Sequence, residues 1–286
     1  MKINKISPLK HKYLQITSVI AKPPQILHYI GELPSARQPT VAVVGTRKPT
    51  SYGREVTERL AYDLASKGVV IVSGLALGTD AIAHQAALDA KGTTIAILPC
   101  SLPKIAPATN HLLAHRIVEH GGALISEFTE ESQVVWKSNL LQRNRLVAGL
   151  ADALLITEAS ARSGTLNTAS HALEQGKHVF VVPGNITSPQ SVGCNLLIKQ
   201  GATPVTCAED ILEVIAPQLL TAQSQLALGS TPAETAIIEQ LRAGLRDGDD
   251  IQRTTGIAAG EFGVALTMLE LAGAIKSLGA NQWTLR

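Results

Sequence analysis

The chain has 286 residues, 45% hydrophobic and 17% charged, the composition of a soluble globular protein with room for one large core and a small second domain. Its net charge of +2 divides into +5 over residues 1–40, −1 over 41–229 and −2 over 230–286. A generally basic surface is thereby excluded, and any polyanion must be held by a local cluster. Cys100, Cys194 and Cys207 are far apart, odd in number and without zinc-ligand spacing. They point to a reducing cytoplasm and no disulfide framework. The N-terminal stretch lacks the continuous apolar core of a signal peptide, and no window approaches the ~20 apolar residues of a membrane span.

Residues 1–40 are basic and punctuated by prolines, and predict a lead-in with one short helix around Gln25–Ile30. A regular alternation begins at Val41. "VAVVG" (41–45) reads as a strand, and "GREVTERLAYDLASKG" (53–68) as a helix with apolar residues at helical spacing and a glycine stop. "VVIVSG" (69–74), "TTIAILP" (93–99) and "ALISE" (123–127) read as strands, separated by helices over 80–92 and 111–122. A helix is expected from Arg145 to Leu150, a strand in "ADALLITEA" (151–159), a helix over 168–177 and a strand in "HVFVVPG" (178–184). "GCNLLIKQGA", "TPVTC" and a helix over 208–215 close the series. Strands apolar on both faces, separated by helices, imply a doubly wound α/β domain with a parallel sheet over 41–215. Residues 216–229 read as a linker. Residues 230–286 predict three helices and a hairpin with Gly279 or the Ala-Asn pair at its tip, a small winged helix.

Ligands of such a sheet bind beyond the carboxyl ends of its strands. After the first strand, Gly45, Thr46 and Arg47 lead to Ser51 and Gly53 at a helix start, where free N–H groups favour an anion. The dinucleotide fingerprint G-x-G-x-x-G is absent, so no dinucleotide cofactor is expected. After the second strand, Gly74 and Gly78 mark close backbone approach, and Thr79 or Asp80 is expected to cap the next helix. His84 reads as a packing partner rather than a base. Arg143 and Arg145 are placed near a helix start, where cations oppose the dipole, which favours a ligand role. Their alternative is an ion pair with Glu127, Glu130 or Glu131. Ser163, Gly164 and Thr165 offer a second anion cradle at another helix N-terminus. The eight histidines are scattered, with no metal-ligand pattern and no catalytic triad.

"VAVVGTRKPTSYG", "VIVSGLALGTDAIAH", "QRNRLVAGLADALLITEASARSGTLNTASHALEQGKHVFVVPG" and "GCNLLIKQGA" follow one another in an order and spacing that resemble the DNA-processing protein A (DprA/Smf) family. The resemblance covers about Pro23 to Ala208 and the C-terminal domain. It implies a Rossmann-like domain that binds single-stranded DNA, protects incoming DNA in natural transformation, forms a homodimer and helps load the RecA recombinase, with no enzymatic activity. Arg47 and Arg143–Asn144–Arg145 are then expected to line the DNA pocket, with Lys137 reaching a phosphate. Gly45, Ser51, Gly53, Gly74, Gly78, Ser163, Gly164 and Thr165 match the surrounding motif turns. The sequence departs from the family pattern at Leu140 and Leu141, where an aromatic-proline pair is usual, at "IAPATN" (105–110) and at Thr79. With few aromatics to stack on bases, phosphate contacts should dominate, giving a steep salt dependence and little base preference. The expected recognition helix, Ala259 to Ala272, has no Lys or Arg, which favours protein contact over groove reading. Two rival readings are a nucleotide-monophosphate phosphoribohydrolase, for which the double glycine and paired glutamates are missing, and a RecA-interaction scaffold with a vestigial pocket.

Overall fold

The computed structural model describes residues 2–129, 137–221, 231–279 and 281–285. The first of two compact units, Met1–Leu220, is built on a nine-stranded sheet. In chain order it holds β1 (Asn4–Ile6), β2 (Leu27–Gly31), β3 (Thr40–Val44), α1 (Ser51–Ser66), β4 (Val70–Ser73), α2 (Thr79–Asp89), β5 (Thr94–Ile97), α3 (His111–Glu119) and β6 (Ala123–Ser126). Then come α4 (Lys137–Leu150), β7 (Ala153–Ile156), α5 (Thr165–Glu174), β8 (His178–Val181), α6 (Val192–Lys199), β9 (Thr203–Pro204), α7 (Ala208–Ile215) and α8 (Gln218–Thr221). The strand order is β1-β2-β6-β5-β4-β3-β7-β8-β9. All neighbours from β6 to β9 are parallel. β2 is antiparallel to β6, and β1 to β2.

Strand residues alternate between two cores, as burial on both faces requires. Ala42, Val44, Leu154 and Ile156 face α4, α5 and the buried pair Tyr13 and Leu14. Val41, Val43, Ala153 and Leu155 face α1, α2 and α7. A third cluster under α3 joins Ala96, Leu98 and Leu124. Among the described residues no helix is long and apolar enough to cross a membrane.

The expected helix at Gln25–Ile30 is instead strand β2, with Tyr29 opposite Ile125. Leu27 and Ile30 are three residues apart, which suits one face of a helix. In a strand an odd spacing sends them to opposite faces. Leu27 joins the core beneath α4 and Ile30 the one beneath α3, so both apolar groups are buried and the free edge of β6 is paired. Residues 1–40 are therefore part of the sheet domain rather than a separate lead-in. The expected linker, 216–229, begins with helix α8; residues 222–229 lie outside those described.

The second unit, Thr221–Arg286, contains α9 (Pro232–Arg242), α10 (Gly248–Thr255), α11 (Ala259–Leu271) and the hairpin β10 (Ile275–Gly279) and β11 (Gln282–Leu285). Thr231 caps α9 by accepting from the Glu234 N–H at 3.2 Å, with Pro232 in the first turn. Ile237, Leu241, Ile251, Phe262, Leu266 and Ile275 form its core. Gly279 and Asn281, both at positive φ, flank the hairpin tip, and Ala280 lies outside the described residues.

Candidate nucleic-acid interface

The chain runs outward from β3 through β4 and β5 to β6, then returns to place β7 on the other side of β3. This reversal opens a crevice beyond the carboxyl ends of β3 and β7. A cleft of about 470 Å³ lies there. Its walls are the turn after β3 (Gly45, Thr46, Arg47), the turn after β4 (Gly74, Ala76, Asp80) and the turn after β7 (Ser160, Ser163, Gly164, Thr165). The fourth wall is α4, through Lys137, Leu140, Leu141, Arg143, Asn144 and Val147. Ser51, Gly53, Gly78 and Arg145 do not line it.

The helix expected to begin at Arg145 is described from Lys137. Arg143 is therefore well inside α4, beyond the first turn in which a cation opposes the helix dipole. Its side chain is 4% exposed and lies on the cleft floor. Nη1 donates to the Gly74 and Ile97 carbonyls, which end β4 and β5. An alanine Cβ at Gly74 would fall 2.1 Å from that nitrogen, so the guanidinium occupies the space the missing side chain leaves. The buried Asp80 carboxylate accepts from the Gly74 and Ala76 N–H groups at 3.1 and 3.2 Å. Burial pushes the Asp80 carboxyl up, and Arg143 draws it back only in part. Burial likewise lowers the Arg143 value, against the pull of Asp80. Arg143 and Asp80 thus brace the ends of β4 and β5 from two sides. Gly78, not Thr79 or Asp80, is the N-cap of α2.

Arg145, two residues on, turns away and pairs with Glu127, the first of the three acids considered. Burial raises the Glu127 carboxyl while Arg145 lowers it. Glu130 and Glu131 lie outside the described residues.

Glu158 is 2% exposed at the end of β7. Its Oε2 accepts from the Thr50 N–H at 2.9 Å and its Oε1 from the Thr50 hydroxyl at 2.7 Å. Thr50, not Ser51, is the N-cap of α1, its oxygen accepting from the Gly53 N–H at 3.1 Å. An added Cβ on Gly53 would lie 2.3 Å from Glu158 Oε2. The acidic group at this helix N-terminus is thus the protein's own, and the site expected for an external anion is filled. The spaces beside Gly45 and Gly78 are filled as well, by Thr79 and by the Arg47 and Thr46 backbone. Gly164 alone among the predicted motif glycines faces open space.

The Ser163–Gly164–Thr165 turn ties the two sides together. Ser163 Oγ donates to Thr165 Oγ1 at 2.9 Å, and Thr165 Oγ1 donates to the Gly45 carbonyl at 2.9 Å. The N–H groups of Thr165, Leu166 and Asn167 already have acceptors within the turn. The cleft therefore presents hydroxyls here rather than bare amides. Asn144 donates to Asn167 at 3.2 Å, joining α4 to α5. Sequence reasoning missed Ser160 as a wall residue and the bracing role of Glu158; the Thr-x-x-Gly helix start from Thr50 to Gly53 was the local signal for the cap. Arg47, Lys48 and Lys137 are exposed, and among the described residues none of them forms an ion pair. Among the described residues the exposed cations around the cleft thus have no ion-pair partner, whereas its buried arginine is engaged. His84, as expected, is a packing residue: Nδ1 lies 2.7 Å from Thr94 Oγ1, and burial pushes its pKa down to about 3.

Residues 4–216 match the family model described as DNA recombination-mediator protein A, and residues 221–281 match the DprA winged helix domain. Protein Smf of Escherichia coli is 45% identical over 190 residues, 66% of this chain and 50% of that protein. The DNA processing protein DprA of Bacillus subtilis is 38% identical over 212 residues, 74% of this chain and 71% of that one. The chain covers 61% of a putative DprA of Mycobacterium tuberculosis, so it spans half to three-fifths of these longer relatives. Among solved structures, DprA of Streptococcus pneumoniae superposes with a TM-score of 0.68 at 36% identity, covering 75% of each chain. DNA processing protein A of Helicobacter pylori, whose structure was solved for its single-stranded DNA binding mode, gives 0.66 at 33% identity over 76% of this chain and 97% of that one. With a doubly wound sheet, a cleft at its switch point and a C-terminal winged-helix domain, the chain belongs to the DNA recombination-mediator protein A (DprA/Smf) family.

Proposed function

We infer that this protein binds single-stranded DNA in the cleft between β3 and β7, without cleaving it. The observation that carries this reading is the exposed pair Arg47 and Lys137, without ion-pair partners among the described residues, at a cleft whose acid Asp80 is engaged. Asp80 and Glu158 each accept from two backbone or hydroxyl donors, which suits holding the walls together rather than acid–base chemistry. Phosphates meet Arg47 and Lys137, while the Ser163 and Thr165 hydroxyls and Asn144 supply neutral hydrogen-bonding groups around them. Arg143 shapes the floor; Arg145, Ser51, Gly53 and Gly78 act behind it. Leu140 and Leu141 give the bases apolar contact without stacking. The H. pylori relative's single-stranded DNA binding supports the same assignment.

Protection of incoming DNA, RecA loading, homodimer formation and a cytoplasmic location complete the proposal by family membership. Val192 and Leu196, exposed one turn apart on α6, offer an apolar face for self-contact. On α11, exposed Val264, Met268 and Leu271, on a helix whose charged residues are Glu261 and Glu270, favour protein contact over DNA for the winged helix.

Fluorescence anisotropy with labelled single-stranded and duplex oligonucleotides tests the assignment. Wild type should prefer the single strand, and Arg47→Ala should weaken it at least about tenfold with an unchanged fold. Equal affinity in the variant overturns the cleft as the DNA site and leaves the scaffold reading. Release of adenine from AMP would instead establish the phosphoribohydrolase.

A further inference from the structure

Helix α3 carries two histidines one turn apart, His111 and His115, at the i, i+4 spacing that puts both on one face. Neither belongs to the cleft walls. His111 is exposed and His115 half-buried, with ring centroids 4.4 Å apart and planes inclined at 48°. Their Nε2 atoms lie 3.3 Å from each other. Two imidazole nitrogens bound to one zinc at about 2.0–2.1 Å, and separated as here, subtend roughly 104–111° at the metal, a tetrahedral angle. Full convergence of both lone pairs opens the centroids to about 5 Å, within reach of side-chain torsions at a helix surface.

We propose that His111 and His115 form a surface chelate for one borderline divalent cation, of the zinc, nickel or copper class. Imidazole pairs suit these metals and not magnesium or calcium, which prefer oxygen ligands. Among the described residues no group of three or more His, Cys, Asp and Glu side chains could hold a metal, so water completes the coordination. The site is an exchangeable one and not a structural zinc.

Its position gives it a route to the rim of the cleft. Asn110, adjoining His111, donates through Nδ2 to the Leu75 and Ala76 carbonyls at 2.9 and 3.1 Å. Leu75 has a positive φ of 57°, a conformation that leucine adopts only when its surroundings impose it. A cation that pins the first turn of α3 therefore holds the Asn110 anchor of this turn as well. The inference is independent of what the cleft binds.

The test is a calorimetric titration of the untagged full-length protein with zinc chloride, alongside His111→Gln, His115→Gln and His120→Gln. Wild type and His120→Gln should take up a zinc equivalent at least about tenfold more tightly than either of the other variants. Copper(II) added to wild type should show coupling to two nitrogens by electron paramagnetic resonance, and to fewer in His115→Gln. Zinc should also slow amide exchange in the first turn of α3 in wild type and His120→Gln, and not in the other two variants. Equal uptake by His115→Gln, or none by wild type at millimolar zinc, overturns the proposal. Unchanged circular dichroism spectra of these surface variants exclude misfolding as the cause.

Discussion

Replacing Arg143 by methionine separates its structural role from any role in binding. Methionine keeps much of the aliphatic stem and removes every donor. The Gly74 and Ile97 carbonyls then lose a charged donor at the buried ends of β4 and β5. Each orphaned acceptor costs about 1–3 kcal/mol, or about 2–6 kcal/mol together. Asp80 also loses its nearest compensating charge, which adds in the same direction. For a domain of this size 1 kcal/mol shifts the melting temperature by roughly 2–4 °C, so a fall of roughly 4–24 °C is expected. Urea unfolding followed by circular dichroism measures the loss, and an unchanged m-value shows that it lies in stability rather than in compactness. Arg47→Ala, at an exposed position, should leave the midpoint where it was. If Arg143→Met unfolds at the wild-type midpoint, the guanidinium is not a brace and its place is with the ligand.

Salt dependence measures how many cations meet phosphate. Two contacts, Arg47 and Lys137, give a log–log slope of about −1.4 on a single strand, a modest dependence rather than the steep one expected from the sequence, and Arg47→Ala should reduce its size by about 0.7. A slope several times larger would mean contacts outside this cleft. Gly53→Ala brings a Cβ against the buried Glu158 carboxylate and should destabilise; Glu158→Ala relieves that clash, so the double variant should cost less than the sum of the singles in a double-mutant cycle. His84 has its pKa pushed down to about 3 from 6.5, so the unfolded chain binds the extra proton first. Stability from this group is fully present above pH 6.5 and lost as pH falls toward 3, and His84→Gln should flatten that part of a pH–stability profile.

The alternation of strands and helices was legible because two-sided burial leaves uninterrupted apolar runs such as "VVIV" and "ALLI". Strand β2 was not, since Leu27 and Ile30 fit a helical period and only the otherwise free edge of β6 selects between the two. The switch-point turns were legible as glycine-rich, but their meaning was not. A glycine records that something comes close; whether that is ligand or protein depends on side chains far away in sequence, here Arg143 for Gly74 and Glu158 for Gly53. The same distance effect divided the arginine motif. Arg143, Asn144 and Arg145 are consecutive on one helix, yet successive helical positions are about 100° apart, so the three go to the floor, the wall and an internal ion pair.

The mutual filling of the turns has a thermodynamic consequence. Walls that already touch one another have little configurational freedom left to surrender, so the ordering entropy of association falls almost entirely on the nucleic-acid strand. Differences in affinity among oligonucleotides should then follow the stiffness of the strand itself: flexible thymine tracts, which lose most on being straightened, should show the larger entropic penalty, and self-stacked adenine tracts the larger enthalpic one.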